Sequence, residues 1–506
     1  MAGAQQQDTG WLAGDLLSFL GLPGGAWKQV PVAGLSMDSR GIAKDHLFLA
    51  VAGSQGHGLE HLQQALDQGA SLVLAEASSG WPQERICRLK HNVPIVVMDG
   101  LRPVLSEIAA RFYGHPAQDM RMAGITGTNG KTSVSLFLAQ SLPEEWCCAV
   151  TGTTGNGFPG DLQPATHTTP DAVEAQRLLA GLKAAGARAV AMEVSSHALH
   201  QYRLAAVPFH TAVFTNLSRD HLDYHGSMQA YAAAKRRLFE ADSLQMAVIN
   251  TVDEAGAELL RQLRGGVATI ACHRGGATLG ADEFVCIEML EQRPEGLHLE
   301  FSSSWGKGEI NSRLLGDFNA DNLALVLAVQ LGWGVPMDEA IARLEKVQTV
   351  PGRMQKSGGG DQPLVVVDYA HTPDALAKTL TSLRAHGTGR IFCVFGCGGD
   401  RDRGKRSQMG TLAEALADVV IVTDDNPRNE SSAGIIADIL EGMDQPRQAL
   451  VIPDRAKAID TAIAQARPGD IVLVAGKGHE TWQQVGDQRL PFSDIGQVRH
   501  SLGGGA

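Results

Sequence analysis

The stretch GITGTNGKTSV, residues 124–134, places a glycine-rich turn between a short apolar run and the helix-compatible KTSVSLFLAQSL. Gly127 and Gly130 let backbone N–H groups approach phosphate oxygens, and the N-terminus of the following helix adds positive potential. In such a loop Lys131 reaches the outer phosphates and the Thr132 hydroxyl takes a Mg²⁺ ion. With Thr128, Asn129 and Ser133 the expected ATP contacts run from Gly127 to Ser133. The fit to G-x-x-x-x-G-K-[ST] is offset, because the first glycine stands at 124 and Ile at 125. A phosphate loop by itself does not separate a ligase from a kinase, a motor or a regulatory GTPase.

Three further stretches carry chemistry. AVAMEVSSHAL ends a strand with Glu193, a carboxylate able to face the phosphates and hold Mg²⁺ directly or through water. TNLSRDHLDYHG, 215–226, gathers Asp220, His221, Asp223 and His225 behind another strand, a density of ligating groups that favours a site. In SMQAYAAAKRRLFEAD, Ser227 is the expected helix N-cap and the alanines favour a helix. Lys235 lies four after Tyr231, three before Leu238 and four before Phe239, so it shares their apolar stripe, while Arg236 and Arg237 point elsewhere. Burial disfavours an ammonium and lowers its pKa. A neutral amine near a metal cation can react with CO₂ to give a metal-binding carbamate. Equally, the stem can lie along the stripe with its head in water, and the pattern leaves both open.

These residues need a scaffold that turns them to one edge. In the last third, apolar β-branched runs (LVVVDYA, IFCVFG, VVIVTDD, ALVIPD, IVLVAGKG) alternate with helical stretches, which predicts a parallel sheet covered on both faces. Ligands gather beyond the carboxyl ends of such strands, where DYAH, GCGGDR, DDNPR and GKGHE all fall. The middle third alternates in the same way around RMAGIT, ARAVAMEVSS and TAVFTNLS. The first ~118 residues are mixed, with HLFLAVAG and ASLVLAEA as strands, a division that suits domains of ordinary size. FYGHPAQD, 112–119, and VPGR, 350–353, read as junctions. The expected fold is α/β in three domains: a mixed α/β domain at 1–118, a central phosphate-loop ATPase domain with a parallel sheet at 119–350, and a Rossmann-like domain at 351–506.

At 506 residues, 44% hydrophobic and 19% charged, the composition is that of a soluble globular protein. A net charge of −12 opposes general nucleic-acid binding. The start, MAGAQQQDTGWLAG, has no basic segment followed by an apolar one, and no apolar stretch reaches ~18 residues, so neither a secretory signal nor a membrane span is expected. Seven scattered cysteines suit a reducing cytoplasm. Cys393 and Cys397 lack the paired Cys or His set that zinc requires.

TGTNGKTS, THTTPD, MEVSSHAL, TNLSRDHLDYHG with YAAAKRRLF, GDFNADN, PGRMQ, DYAHTPD, GCGGDRDRGKR, DDNPR and GKGHE occur in the order found in the Mur ligases, and the resemblance runs from about Met37 to His479. The offset glycine is also that family's form. The pattern is most similar to members that add meso-2,6-diaminopimelate to UDP-N-acetylmuramoyl-L-alanyl-D-glutamate in peptidoglycan biosynthesis, using ATP and Mg²⁺. The resemblance implies a uridine site at Met37, Ser39, Ser54, Gln55 and Gly56. It implies a muramoyl-dipeptide arm at His167, Thr168, Thr169, Ser195, Gln201 and Arg203, although the family often has Asn where His167 stands. It makes Lys235 the carbamylated lysine (N6-carboxylysine), His221 a metal ligand with Thr132 and Glu193, and Asn319, Asn322, Arg353 and Asp368 further ATP contacts. Lys131, Glu193, His221 and Lys235 form the implied catalytic set, in a cytoplasmic monomer.

D-N-P-R is the diaminopimelate-associated signature among these relatives. The distal centre of that substrate carries ammonium and carboxylate together. Arg428 can fork onto the carboxylate and Asp425 accept from the ammonium, with Asn426 adding a donor and an acceptor and Pro427 fixing the turn. Arg401, Gly476 and Glu480 complete the pocket by resemblance. L-Lysine lacks the distal carboxylate and would leave Arg428 unpaired, which typically costs a factor of ~10⁴ or more. The rivals are a lysine-adding relative, a folylpolyglutamate synthase and, from another class, a phosphate-loop switch or motor. D-N-P-R disfavours the first, THTTPD with the C-terminal motifs the second, and the strand-end motifs the third.

Overall fold

The structure, a computed structural model, describes residues 11–22, 25–53, 56–89, 91–165, 167–263, 265–276 and 279–503, with Ala26 and Asp223 described by their backbone alone. Ser54 and Gln55, expected at the uridine site, lie outside these. The chain divides into two compact units, residues 1–271 with 279–282, and residues 272–278 with 283–506.

In the first unit, strands Gly34–Ser36, His46–Ala50, Ala70–Glu76 and Ile95–Met98 form a parallel sheet in that order. Leu47, Leu49, Leu72 and Leu74 pack on one face with helix Leu101–Phe112, and Phe48, Val73 and Ala75 pack on the other. This is the alternation that a two-sided strand requires. Within the stretch 112–119, Pro116–Asp119 forms a 3₁₀ turn whose Pro116 and Ala117 are buried. Further along, parallel strands lie side by side in the order Met246–Asn250, Thr211–Phe214, Arg121–Thr126, Ala189–Glu193 and Cys148–Gly152. The phosphate-loop strand is thus central and Glu193 ends its neighbour. The described part of this unit holds the α/β alternation that the sequence predicts.

In the second unit, Glu283–Arg293, Gly296–Ser303 and Gly306–Ser312 make an antiparallel meander that the sequence reading did not anticipate. Helix Phe318–Gly332 follows, buried along nearly its whole length. The last sheet runs Gln355–Gly358, Leu364–Asp368, Ile471–Ala475, Ile391–Phe395, Val419–Val422, Leu450–Val451, parallel except for its first pair. Apolar side chains fill both of its faces. ALVIPD shrinks to the two-residue edge strand Leu450–Val451, with both side chains exposed, because it has one partner strand and ends near Pro453. DYAH, GCGGDR, DDNPR and GKGHE all leave the carboxyl ends of their strands. No helix among the described residues is long and apolar enough to cross a membrane.

Candidate active site

Helix Lys131–Ser141 opens after Gly130, at φ +83°. Gly127, at φ +151°, could carry no side chain, since a Cβ would lie 1.8 Å from Thr215 Oγ1. The loop is stapled to the next strand end. Thr128 N donates to Asn216 O at 2.8 Å, Asn129 N to Asn216 Oδ1 at 2.9 Å, and Thr215 Oγ1 to Asn129 O at 2.5 Å. Lys131 Nζ donates to the carbonyls of Gly127 (3.0 Å) and Thr128 (2.8 Å), while Thr132 and Ser133 sit half-buried in the first turn.

Glu193 is 1% exposed and accepts from Thr153 N at 2.7 Å, the Thr132 hydroxyl at 2.9 Å and the Thr153 hydroxyl at 3.3 Å. Burial pushes its pKa up, and the Lys131 charge with these donors pulls the other way. A Cβ at Gly152 would meet Glu193 Oε1 at 2.0 Å, so that glycine keeps open the slot the carboxylate fills. A carboxylate and a helix-start hydroxyl meeting at a phosphate loop are hard oxygen donors suited to Mg²⁺.

Ser227 caps helix Met228–Arg236 as expected, its hydroxyl accepting from Ala230 N. Tyr231, Lys235, Leu238 and Phe239 are all buried. Lys235 is 2% exposed, which excludes the head-in-water alternative. Its Nζ donates to Gly127 O at 2.7 Å and lies 4.5 Å from the centre of the Tyr231 ring. Desolvation and the Lys131 charge push its pKa well below the ordinary lysine value, with Asp220 opposing. His221, at φ +52°, sits with its ring 6.0 Å from Tyr231 and 4.9 Å from His197. Its Nε2 is 3.5 Å from Asp220 Oδ2, and the side chain is about half exposed. Among the described residues no three His, Cys, Asp or Glu side chains form a metal-holding group.

Most of the expected dipeptide arm is brought together. Thr169 Oγ1 donates to Glu193 O (2.8 Å) and accepts from Ser195 N (3.0 Å), and Arg203 Nη1 donates to Thr169 O (2.9 Å). Arg203 also holds Gln201 Oε1 through Nε (3.0 Å) and Nη2 (2.8 Å). Thr168 Oγ1 accepts from the Thr153 hydroxyl at 3.1 Å, whereas His167 is exposed. Desolvation lowers the Arg203 pKa, as for a guanidinium with less anionic company than its burial requires. At the N-terminal sheet, Met37 is half-buried, Gly56 is exposed, and the buried Ser39 spends its hydroxyl proton on Gln64 Oε1 (2.8 Å).

In the second unit, Asn319 and Asn322 are buried and bonded to each other at 2.9 Å. Asp368 takes bonds from Met354 N (2.7 Å), Ala370 N (2.9 Å) and Thr379 Oγ1 (3.3 Å), and burial raises its pKa. Arg353 stacks on the Tyr369 ring at 4.7 Å. At the strand ends, Asp425 is buried with its pKa pushed up by desolvation, and Arg455 and Lys477 oppose that shift. Gly476, at φ +118°, leaves the space beside Asp425 Oδ2 where a Cβ would stand 2.6 Å away. Arg428 adopts φ +53°, donates from Nη1 to Gly399 O at 2.7 Å, and bonds through its backbone to Gln484 O (3.1 Å) and Gly486 N (2.8 Å). A Cβ at Gly399 would lie 1.9 Å from Pro427 O, so the two loops touch backbone to backbone. Arg401 is exposed. The Asn426 amide is bonded to Glu480, Lys477 and Gln484.

Family models match three consecutive segments: "Mur ligase family, catalytic domain" over residues 31–113, "Mur ligase middle domain" over 125–330 and "Mur ligase, glutamate ligase domain" over 352–478. A protein of Alkalilimnicola ehrlichii named UDP-N-acetylmuramoyl-L-alanyl-D-glutamate--2,6-diaminopimelate ligase is 49% identical over 477 residues, covering 94% of this chain and 95% of its own. The chain belongs to the Mur ligase family. A protein of the same name from Ectopseudomonas mendocina is 48% identical over 471 residues, covering 92% of this Mur ligase and 94% of its own length. A solved structure bearing that name matches with a TM-score of 0.69 at 36% identity, covering 95% of this chain and 96% of that one.

Sequence reasoning missed the charges that brace this Mur ligase's pocket loops. Arg455 and Asp494, both 0% exposed, pair at 2.7 and 2.8 Å, and Arg455 also donates to Ala475 O and Asp424 O. Arg406, also 0% exposed, holds Glu430 and Asp438, and draws the Glu430 pKa down to about 2. Lys477 is the third. The only signals were the places of Lys477 inside GKGHE and of Arg406 at the end of GCGGDRDRGKR.

The Lys235 pKa shift has a pH signature. A lysine held below its ordinary pKa of 10.5 binds its proton more readily in the unfolded chain. Its penalty is therefore full below the folded pKa and fades as pH rises towards 10.5. In CO₂-free buffer, Lys235→Met should be more stable than the wild type at low pH, with the gap narrowing as pH rises towards 10.5. Denaturant titrations across pH would show this, and a gap independent of pH would contradict it.

Proposed function

We propose that this Mur ligase joins the D-glutamate γ-carboxylate of UDP-N-acetylmuramoyl-L-alanyl-D-glutamate to the amine of meso-2,6-diaminopimelate, with ATP cleaved to ADP and phosphate. The observation that carries the reading is the strand-end D-N-P-R loop, where a desolvated carboxylate (Asp425) and a left-handed, backbone-clamped arginine (Arg428) stand three residues apart. A substrate whose distal centre bears both charges fits such a pair. The names of the relatives agree. A lysine-adding relative would have no partner for Arg428, and a switch or motor would have no use for the pocket.

In this reading the 127–133 loop amides and Lys131 bind the ATP phosphates, joined by Asn319, Asn322, Arg353 and Asp368. Met37, Ser39, Ser54, Gln55 and Gly56 hold the uridine end. His167, Thr168, Thr169, Ser195, Gln201 and Arg203 hold the dipeptide arm and aim its terminal carboxylate. That carboxylate attacks the γ-phosphorus, forming an acyl phosphate and releasing ADP. The diaminopimelate amine then attacks the acyl carbon, phosphate leaves, and an amide remains. Arg401, Asp425, Asn426, Pro427, Arg428, Gly476 and Glu480 set which amino acid enters. Mg²⁺, held by Thr132, Glu193, His221 and the Lys235 carbamate, would neutralise phosphate charge and orient the acceptor carboxylate. Buried, low-pKa Lys235 is suited to carbamylation because only the neutral amine adds CO₂. The division at 1–118, 119–350 and 351–506 assigns precursor, ATP and amino acid to successive domains. A monomeric cytoplasmic enzyme, apart from nucleic acid and membrane, completes the proposal.

Phosphate release with ATP, Mg²⁺ and the UDP-precursor should depend on meso-diaminopimelate, with L-lysine nearly inert. Equal use of L-lysine would remove the role given to D-N-P-R, and release indifferent to both would remove the ligase reading. Lys235→Ala should lose most activity and regain part of it when a short carboxylate is added. Absence of rescue would count against the carbamate.

A further inference from the structure

Lys477 is 0% exposed although it stands between two glycines in a strand-end loop. Gly476 and Gly478 take φ +118° and +54°, backbone turns that carry the side chain inward. Its Nζ donates to Glu480 Oε2 at 2.7 Å and to Asn426 Oδ1 at 3.1 Å, with the Trp482 ring centre 5.4 Å away. Asn426 closes the triangle. Its Nδ2 donates to the same Glu480 oxygen at 2.9 Å, and its Oδ1 also accepts from Gln484 N at 2.9 Å. Glu480 Oε2 thus carries two donors, and no hydrogen bond to Oε1 is formed among the described residues.

We infer that Lys477 is a specificity-positioning residue, which with Asn426 locks one oxygen of Glu480 so that the other is presented to the distal ammonium of the incoming amino acid. The inference deepens the diaminopimelate-ligase reading and rests on it. A buried ammonium is desolvated at a cost that only close anionic and polar partners offset, and Glu480 and Asn426 supply both. Lys477 also balances charge: Glu480 raises the Asp425 pKa while Lys477 and Arg455 lower it, and Arg455 is itself committed to Asp494. Without Lys477 the pocket would hold two carboxylates, one of them free to rotate, and would favour any cation over a zwitterionic centre. Asn426 then acts through Glu480, as a bracket between the D-N-P-R loop, the GKGHE loop and the strand Trp482–Val485.

The test is steady-state kinetics on the full chain with Lys477→Met, Glu480→Gln and the double variant. Lys477→Met should raise KM for meso-diaminopimelate by about tenfold or more, the size of a lost hydrogen bond to a charged group. Its kcat and its KM for ATP and the UDP-precursor should stay within about twofold, and its preference over L-lysine should fall. Because Lys477 acts through Glu480, the double variant should be no worse than the worse single variant. If Lys477→Met does not fold, the double variant, which removes both charges together, is compared with Glu480→Gln and should match it. An unchanged KM for diaminopimelate, an equal rise in KM for ATP, or losses that multiply in the double variant would overturn the inference. Wild-type enzyme without diaminopimelate-dependent phosphate release would instead overturn the ligase reading beneath it.

Discussion

Two titratable side chains, Glu193 and Lys235, are sealed from water and both reach the loop that opens helix Lys131–Ser141: Glu193 through the Thr132 hydroxyl, Lys235 through the Gly127 carbonyl. Removing such groups from water is costly unless each finds a partner. Much of the surrounding sequence follows from that need. Gly152 leaves a slot for the carboxylate, Thr153 fills its remaining lone pairs, and Gly127 lets Thr215 approach the loop. The Tyr231 ring faces Lys235 Nζ. Desolvated titratable groups beside a phosphate loop suit a site that binds a polyanion, because electrostatic interactions strengthen where water is excluded.

The same solution recurs at the strand ends of the second unit, with different residues. Arg406, Arg455 and Lys477 are fully buried cations, each pinned by carboxylates, and each ties down a loop that leaves the carboxyl end of a strand. Only the Arg455–Asp494 pair is buried on both sides, and breaking such a pair costs about 3–5 kcal/mol because the surviving charge is left unpaired. These pairs account for how Arg428, an ordinary residue at φ +53°, holds its backbone conformation: its neighbours are fixed on every side.

What the sequence made legible was local. The phosphate loop, the Ser227 cap, Glu193 at a strand end and the buried stripe of Lys235 all depend on spacing within a few residues, and the structure bears out those features. The strand-helix rhythm likewise exposed the parallel sheets. The meander Glu283–Ser312 escaped although Leu297, Leu299 and Phe301 alternate with His298, Glu300 and Ser302 at the period of a half-buried strand, because the reading followed only the longer β-branched runs. Lys477, Arg455 and Arg406 escaped because their partners lie 3, 39 and 24 positions away, and nothing periodic marks a lysine between glycines as buried. The bonds of Asn426 to Glu480, Lys477 and Gln484 escaped because an amide carries both donor and acceptor and its spacing in the chain does not show which groups it meets.

The central claim is that the precursor's carboxylate takes the γ-phosphoryl group before the amine attacks. The measurement that tests it most directly uses precursor labelled with ¹⁸O in the D-glutamate γ-carboxylate, with mass analysis of the phosphate released during amide formation. The account predicts one ¹⁸O in each phosphate, carried across by the carboxylate oxygen that attacked phosphorus. Unlabelled phosphate alongside normal amide formation would contradict it.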